Sequence, residues 1–165
     1  MWSIQEKRLK LTSGRIGLIS DTHGLLRPEA IAALKGSELI IHVGDIGKPE
    51  ILTSLKLIAP VLAIRGNNDR EAWAKEIPDI LSLRLNGVGL YVIHNVHDLE
   101  INPVDEGFHA VTSGHSHKPG ISNRGGVMFL NPGSAGPRRF KLPVAVARLR
   151  ILQRKVHATI IELKI

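Results

Sequence analysis

The stretch Arg15–Ser20, which reads RIGLIS, is a short apolar run that ends at a polar residue. This pattern is typical of a buried β-strand. The runs Leu39–Val43 and Val61–Ile64 have the same character, and the intervening segments 28–35 and 48–58 have helical composition. This β-α-β-α-β order predicts a parallel sheet with helices packed against it.

The second half of the chain has a different rhythm, with short apolar segments mostly separated by turns that contain Gly, Asn or Pro. The segments predicted to be strands are Ile80–Leu85, Gly89–Ile93, Ala110–Thr112, Val127–Leu130, Val144–Ile151 and Val156–Leu163. They predict a second, largely separate β-rich sheet, so the simplest architecture is two sheets packed face to face with helices outside. We expect one domain over residues 15–165, preceded by a basic tail over residues 1–14.

The composition is that of a globular protein. The chain has 165 residues, 43% of them hydrophobic and 22% charged, which argues against disorder. It has no cysteine, so a disulfide scaffold is excluded. No apolar stretch approaches the ~20 residues of a membrane-spanning helix, and the first 15 residues lack an apolar signal core. We therefore expect a cytoplasmic protein without a membrane partner.

The net charge of +7 is unevenly distributed. Residues 1–15 carry a net charge of +3 and residues 138–165 a net charge of +7, whereas residues 16–137 carry −3. The acidic central segment suits a site for divalent cations. The basic ends could attract an anionic substrate or nucleic acid, or they could be a solvated strand face and a basic tail.

Polar residues stand directly after the predicted strands and include seven candidate metal ligands. They are Asp21, His23, Asp45, Asn67, His94, His115 and His117. All are oxygen or imidazole donors, which suit Mn, Fe, Zn or Ni rather than a thiolate site. Seven donors are too many for one ion but suit two ions that share a carboxylate, the arrangement that catalyses in-line displacement at phosphorus. Sites in open α/β sheets lie outside the carboxyl ends of the strands, where these residues stand.

Each candidate ligand also has an ordinary structural explanation. Asp21 and His23 are two positions apart, so in an extended chain both side chains point the same way and could hold one ion. Asp45 could bridge two cations or cap the helix that follows. Gly66-Asn67 could be a turn, and His94 could be a partly buried imidazole with no ligand role.

Together these residues follow the order D-x-H, G-D, G-N-x-[DE], His and G-H-x-H, which resembles the calcineurin-like metallophosphoesterase superfamily over about residues 15–150. The short length, the sequence Ile41–Asp45 (IHVGD) and the sequence Asn131–Ser134 (NPGS) followed by Pro137-Arg138 are similar to the small bacterial and archaeal phosphodiesterase branch. The resemblance implies an α/β fold, a four-layer α/β/β/α sandwich of the metallo-dependent phosphatase type.

The resemblance also implies a metal-dependent phosphoesterase, in particular a phosphodiesterase, that acts on a small phosphate ester. One metal would be held by Asp21, His23, Asp45 and His117, and the other by Asp45, Asn67, His94 and His115, with Asp45 as a bridge. The implied cofactors are two divalent transition-metal ions, with Mn²⁺ the first candidate and Ni²⁺, Fe²⁺, Zn²⁺ or Co²⁺ as alternatives. A water activated by both ions would attack phosphorus, and activity should fall at acid pH because the imidazoles must be neutral to ligate. The branch implies a homodimer or homotetramer.

Three further residues are candidates for contact with the substrate. Asn68 stands where many relatives have a histidine that protonates the leaving group, and an amide can only hydrogen-bond a phosphate oxygen. Asn68 therefore favours substrates with good leaving groups or slow turnover. His97 is a candidate catalytic residue for proton transfer. Arg138 could contact phosphate or could equally be surface charge.

Two other functions stand as alternatives. A eukaryotic retromer subunit shares the fold and serves as a scaffold with a degraded metal site, but the presence of His23 and of the other six ligands favours an enzyme. A nuclease or nucleic-acid binder would explain the basic ends. Only 4% of residues are aromatic and we find no recognised binding motif, so a nucleic-acid partner is possible but not favoured.

Overall fold

Two β-sheets stack face to face in this protein, and two short α-helices cover one of them, in a computed structural model that describes residues 2–165. The elements are β1 Ile4–Leu9, β2 Arg15–Ile19, α1 Pro28–Leu34, β3 Leu39–His42, α2 Pro49–Leu55, β4 Val61–Ala63, β5 Ile80–Leu85, β6 Val88–Ile93, β7 Ala110–Thr112, β8 Gly120–Arg124, β9 Val127–Asn131, β10 Ala145–Leu152 and β11 Lys155–Glu162. Two 3₁₀ turns span Ala72–Ala74 and Val96–Asp98.

The five-stranded sheet has the order β11-β10-β2-β3-β4 and contains the predicted β-α-β-α-β unit. Strands β2, β3 and β4 are parallel. Both helices begin with proline at the first turn, where its missing N–H costs nothing. Gly17 allows α1 to lie close to the sheet, since a Cβ there would come within 2.7 Å of the Leu34 and Ser37 side chains.

The six-stranded sheet has the order β1-β5-β6-β7-β9-β8. The sequence led us to expect one sheet from the first half of the chain and the other sheet from the second half. The structure does not divide the chain in this way. Strands β10 and β11 return to the first sheet, where β10 pairs antiparallel with β2. Ala147, Leu149 and Ile151 of β10 are buried between the sheets, so this strand contributes to the same core as β2 and β3.

The N-terminal segment differs from the predicted tail. Ile4–Leu9 forms β1, which pairs in parallel with β5 from Ile4 opposite Ile80 to Leu9 opposite Leu85. No residue of β1 is fully buried, so its sequence lacks the apolar run that reveals a strand. The ordered part of the protein therefore begins before the predicted boundary at residue 15.

Three apolar layers hold the elements together. The first lies between the sheets and includes Leu18, Ile41 and Leu83, all fully buried. The second lies between the five-stranded sheet and the helices, around Leu34 and Leu55. The third covers the outer face of the six-stranded sheet with a loop and a 3₁₀ turn rather than an α-helix.

Neither α-helix could cross a membrane. Each is seven residues long. Within residues 2–165, no helix is both long and apolar enough for a span.

Candidate metal centre

The seven candidate ligands lie at the carboxyl ends of strands from both sheets. Asp21 and His23 follow β2, Asp45 follows β3 and Asn67 follows β4 in the five-stranded sheet, while His94 follows β6 and His115 and His117 follow β7 in the other. The carboxyl ends of these strands therefore lie together at one edge of the molecule, where sites in α/β sheets are expected.

Asp21 is the centre of one group of donors. His117 Nε2 lies 3.3 Å from Asp21 Oδ1, and His23 Nε2 lies 3.9 Å from the same oxygen. The donor atoms of Asp21, His23 and His117 all lie within 4.8 Å of one another. Asp21 is fully buried, and its other oxygen, Oδ2, accepts hydrogen bonds from Ser20 Oγ at 2.6 Å and from the His115 backbone N–H at 3.1 Å.

Asp45 joins this group to a second one. Its Oδ2 lies 3.7 Å from His23 Nε2 and 3.3 Å from His94 Nε2. His94 also reaches Asp21 Oδ1 at 3.9 Å, so Asp21, Asp45 and His94 form another set within 4.8 Å. Asp21 and Asp45 therefore each lie close to donors from both of the predicted ligand sets. Asp45 does not cap α2, whose N-cap residue is Lys48 and has no side-chain cap.

Asn67 and His115 meet on the far side of His94. The Asn67 Oδ1 atom lies 3.1 Å from His115 Nδ1. The His94 and His115 rings are 5.3 Å apart between centroids and pack edge to face. The structure therefore brings all seven candidate ligands into one cluster.

The unpaired atoms of the cluster are the ones a cation would contact. Asp21 Oδ1, His23 Nε2 and His94 Nε2 are buried and have no hydrogen-bond partner among the described residues. His94 Nδ1 lies 2.7 Å from the Val43 carbonyl, so in a neutral ring the proton is on Nδ1 and the Nε2 lone pair faces two carboxylates. Ligand bonds of about 2.0–2.2 Å place two donors of one ion within about 4.4 Å. The imidazole–carboxylate distances of 3.3–3.9 Å satisfy this limit, so the residues fit divalent cations.

Five of the ligand residues have left-handed backbone conformations. Asp21, His23, Asp45, His115 and His117 have φ angles of 55°, 46°, 55°, 71° and 63°. From the sequence we expected an extended chain at Asp21 and His23. Neither this D-x-H segment nor the H-x-H segment is extended. Such conformations cluster at functional sites, and Asp and His tolerate them better than most residues. Both pairs still direct their side chains toward the cluster, through turns rather than through a strand.

Two glycines permit close approach of the loops. A Cβ on Gly66 would overlap the Asp45 carboxylate, and a Cβ on Gly114 would overlap Ser20 Oγ and approach Asp21 Oδ2 to 2.6 Å. The loops after β4 and β7 can therefore lie against the two carboxylates only with glycine at these positions.

Buried polar residues that we did not single out from the sequence fix the loops. The Asp69 carboxylate accepts backbone N–H groups from Ile46, Gly47 and Gly66 at 2.8–3.0 Å. It therefore ties the loop after β3 to the loop after β4. Asp69 could have been found from the sequence, because it is the acidic residue of the G-N-x-[DE] pattern.

The NPGS sequence supports two other loops. Asn131 Nδ2 donates to the Gly114 carbonyl at 3.0 Å and to Ser116 Oγ at 3.1 Å. Ser134 Oγ donates to the Asp21 carbonyl at 2.9 Å. This sequence therefore positions the first and last ligand loops without contributing a ligand.

His42 has a supporting role and is neutral. Its Nε2 lies 2.9 Å from Thr22 Oγ1, which donates to the Ile46 carbonyl, and its Nδ1 accepts the Gly44 N–H at 3.2 Å. Burial, which outweighs the attraction of Asp21, lowers the pKa of His42 from 6.5 to about 3. His42 thus links the loops after β2 and β3.

The charges of the cluster support one another. Burial raises the pKa of Asp45, but the His94 imidazole 3.3 Å away and the hydrogen bonds from Asn68 lower it well below the ordinary value. Burial lowers the pKa of His94, but Asp45 and Asp21 raise it above the ordinary value. The cluster therefore favours a positive charge between the carboxylates.

The three predicted substrate-contact residues are placed differently. Asn68 lies against Asp45, donating its backbone N–H to Oδ1 at 3.0 Å and Nδ2 to Oδ2 at 2.9 Å. His97 is exposed in the 3₁₀ turn after β6, and the structure gives its side chain no contact with the seven described ligands. Arg138 is exposed in the loop after the NPGS sequence.

Comparison with known proteins gives the family. Residues 15–154 match the calcineurin-like phosphoesterase superfamily domain. A probable metallophosphoesterase of Methanothermobacter thermautotrophicus is 36% identical over 159 residues, which cover 89% of this chain and 91% of that protein. The chain belongs to the calcineurin-like phosphoesterase superfamily. The resemblance read from the sequence is thus confirmed.

Solved structures share the fold of this superfamily member. An archaeal phosphodiesterase has a TM-score of 0.74 and 23% identity, covering 89% of this chain and 99% of that one. Vps29 of Chaetomium thermophilum has a TM-score of 0.70 and 15% identity, covering 90% and 96%. These likenesses confirm the predicted fold class.

Membership of the calcineurin-like superfamily also gives the broad chemistry. The superfamily comprises metal-dependent hydrolases of phosphoester bonds. Asp21, Asp45, His23, His94 and His117 form the described groups that could hold such a metal. The predicted enzyme class and the need for divalent metal are therefore confirmed at this level.

Proposed function

We propose that this protein is a phosphodiesterase that uses two divalent cations. The observation that carries the proposal is the convergence of two groups of nitrogen and oxygen donors on the Asp21–Asp45 carboxylate pair, with unpaired buried atoms facing each other. Asp21, His23, Asp45 and His117 would hold one ion, and Asp45, Asn67, His94 and His115 the other. When bound, the cations supply a nucleophile at neutral pH by lowering the pKa of a water, and they polarise the phosphoryl oxygens.

The residues around the cations would orient the ester. Asn68, held against Asp45, would contact a phosphate oxygen, since an amide cannot act as a general acid. A leaving group would then depart without a proton from this position unless His97 supplies one. Aryl oxides can leave without being protonated, whereas alkoxides leave poorly without a proton. A diester also carries one negative charge rather than two. We therefore propose phosphodiesters with good leaving groups as substrates and Arg138 as a further phosphate contact.

The test is a matrix of metals and substrates on metal-free protein. Mn²⁺, Ni²⁺, Fe²⁺, Zn²⁺ and Co²⁺ are each supplied with bis(p-nitrophenyl) phosphate and with p-nitrophenyl phosphate. We expect metal-dependent hydrolysis that is faster for the diester, and up to two ions per chain by elemental analysis and anomalous scattering. Faster monoester hydrolysis would contradict the diester proposal, and no ion near Asp45 would contradict the metal site.

The same matrix, with a single-stranded oligonucleotide added as a third substrate, separates the alternatives. A scaffold of the retromer-subunit type would hydrolyse none of these esters with any metal. A nuclease would cleave oligonucleotides, with binding that weakens steeply as salt rises. Size-exclusion chromatography with light scattering tests the proposed dimer or tetramer, which a monomer at all concentrations would contradict.

A further inference from the structure

A cavity of about 240 Å³ opens beside the part of the metal centre formed by Asn67, His94 and His115. The other residues that line it are Trp2, Arg65, Gly66, Asp79, Asn95 and Asp98. An ester bound at the cations would extend one of its groups into this space. The chemistry of the wall therefore bears on which ester fits.

Trp2 reaches the cavity because β1 is attached to the sheet beside it. The Ser3 backbone N–H and Oγ donate to Asp79 Oδ2 at 2.8 and 3.1 Å, and the Ser3 carbonyl accepts the N–H groups of Asp79 and Ile80 at 3.0 Å. These contacts fix the residue next to Trp2. The family domain match begins at residue 15, so Trp2 and β1 lie outside the matched segment.

Asp79 connects this anchor to the metal loop. Its Oδ1 accepts a hydrogen bond from Arg65 Nε at 2.7 Å, and Arg65 immediately precedes Gly66 and Asn67. The contacts run from Trp2 through Ser3, Asp79 and Arg65 to a metal ligand. The backbone next to Trp2 is therefore tied to the loop that carries Asn67.

The charges of the wall indicate a neutral occupant. Apart from the two histidines, Arg65 is the basic residue that lines the cavity, and its guanidinium is paired with Asp79. Asp98 adds a carboxylate that would repel a second phosphate. The volume lies below the roughly 300–1,000 Å³ of pockets that enclose drug-sized ligands, so it suits one ring system.

We propose that Trp2 is a specificity-determining residue that stacks on a planar aromatic group of the substrate, either an aryl ring or a nucleobase. Trp2 is 42% exposed and lines the cavity, so part of its surface is available to a ligand, and every nucleobase or aryl ring has a π-face to offer it. The proposal rests on the phosphodiesterase function and adds the substrate class: phosphodiesters that carry an aromatic group.

The kinetic test compares Trp2→Ala and Trp2→Phe with the wild type on three metal-supplied diesters. Bis(p-nitrophenyl) phosphate offers an aryl ring, 2′,3′-cyclic AMP a nucleobase, and glycerophosphoglycerol no ring. The last two have alkoxide leaving groups, so their binding is measured as Ki against hydrolysis of bis(p-nitrophenyl) phosphate. We expect Trp2→Ala to raise KM or Ki about 5- to 50-fold for the ester whose ring stacks, within the range for loss of one stack. Ki for glycerophosphoglycerol should change less than twofold, and Trp2→Phe should recover most of the loss. The two aromatic arms show whether the ring is an aryl group or a base.

The control is Ile4→Ala, since Ile4 is 55% exposed at the start of β1, two positions after Trp2, but does not line the cavity. It would reveal a general effect of loosening β1. Equal losses for all three diesters in Trp2→Ala, or the same loss in Ile4→Ala, would overturn the proposal while leaving the phosphodiesterase function intact.

A binding measurement keeps the proposal testable without turnover. In a Trp73→Phe background, Trp2 is the single tryptophan, because the chain has two. We expect AMP added to the Zn²⁺-loaded protein to quench its fluorescence saturably, and glycerol 3-phosphate not to do so. Absence of hydrolysis in every arm would refute the proposed function, whereas equal quenching by both ligands, or by neither, would refute the role of Trp2.

Discussion

At the scale of single residues, Asp45 is the proposed bridge of the metal centre. Its Oδ2 lies 3.7 Å from His23 Nε2 and 3.3 Å from His94 Nε2, and its two oxygens accept the two hydrogen bonds from Asn68. A carboxylate in this position can contact two cations, and its charge balances both.

The first prediction concerns Asp45→Asn, which keeps the shape of the side chain and removes its charge. Activity should drop by orders of magnitude, and the fold should persist because the strand packing is untouched. Kinetics and far-UV circular dichroism measure the two effects. Asp105→Asn, an exposed aspartate in a loop away from the seven ligands, is the matched control. Retention of more than about a tenth of the activity, a barrier change under ~1.4 kcal/mol, would show that Asp45 is not the bridge.

The second prediction concerns Asn68→His, which places a proton donor against Asp45. General acid catalysis contributes typically ~10²–10⁴-fold where the leaving group needs a proton. Turnover of alkyl esters should therefore rise more than turnover of aryl esters, which serve as the internal control. If neither class gains, or aryl esters gain more, the proton donor lies elsewhere, and His97 is the next residue to exchange.

The clustering of the seven candidate ligands could be predicted from the sequence, but their geometry could not. The order of the polar residues after the apolar runs is visible in the sequence. The φ of 46° at His23 is not visible there, because it is imposed by the loop after β3, whose Asp45 carbonyl accepts the His23 N–H at 3.0 Å. Contacts between loops far apart in sequence leave no local pattern.

At the scale of elements, burial separates the strands of the six-stranded sheet that could be predicted from the sequence from those that could not. The six residues of β6 are all buried, and its apolar run predicted it. Strands β1 and β8 form the two edges of their sheet, and all five residues of β8 are exposed. An edge strand with charged residues such as Lys7 and Arg8 resists pairing with another chain, and for the same reason it carries no hydrophobic signal.

The third prediction concerns the loop between β7 and β8. Gly114→Ala would place a Cβ against Ser20 Oγ and Asp21 Oδ2, so Asp21 must move. Loss of such support typically costs about 10–100-fold in metal affinity, which titration calorimetry with Mn²⁺ can measure. Gly120→Ala is the control, since no atom lies within 4 Å of its added Cβ. Equal affinities in both variants would mean that the loop is not held by close packing.

At the scale of the whole molecule, two sheets meet so that their strand ends face one another across the carboxylate pair. Metal binding therefore joins the β2–β4 half to the β6–β7 half. A ligand that binds only the folded state stabilises it by about 2.7 kcal/mol at 100 times its Kd. For a chain of this length, that corresponds to a rise in Tm of roughly 5–10 °C.

The last prediction is that this rise grows as pH increases from 6 to 9. The raised pKa of His94, which Asp45 and Asp21 produce against the effect of burial, stabilises the metal-free fold below the unfolded pKa of ~6.5. That contribution is lost as pH rises through the folded pKa. The imidazole must lose the same proton to ligate a metal, so metal binding strengthens over the interval in which the metal-free protein weakens. The lowered pKa of Asp45 acts only at more acid pH and adds nothing here. Differential scanning calorimetry with and without Mn²⁺ should show the gap in Tm widening, and Asp21→Asn should abolish most of it. A gap that is constant or narrows with pH would mean that His94 does not exchange its proton for the metal.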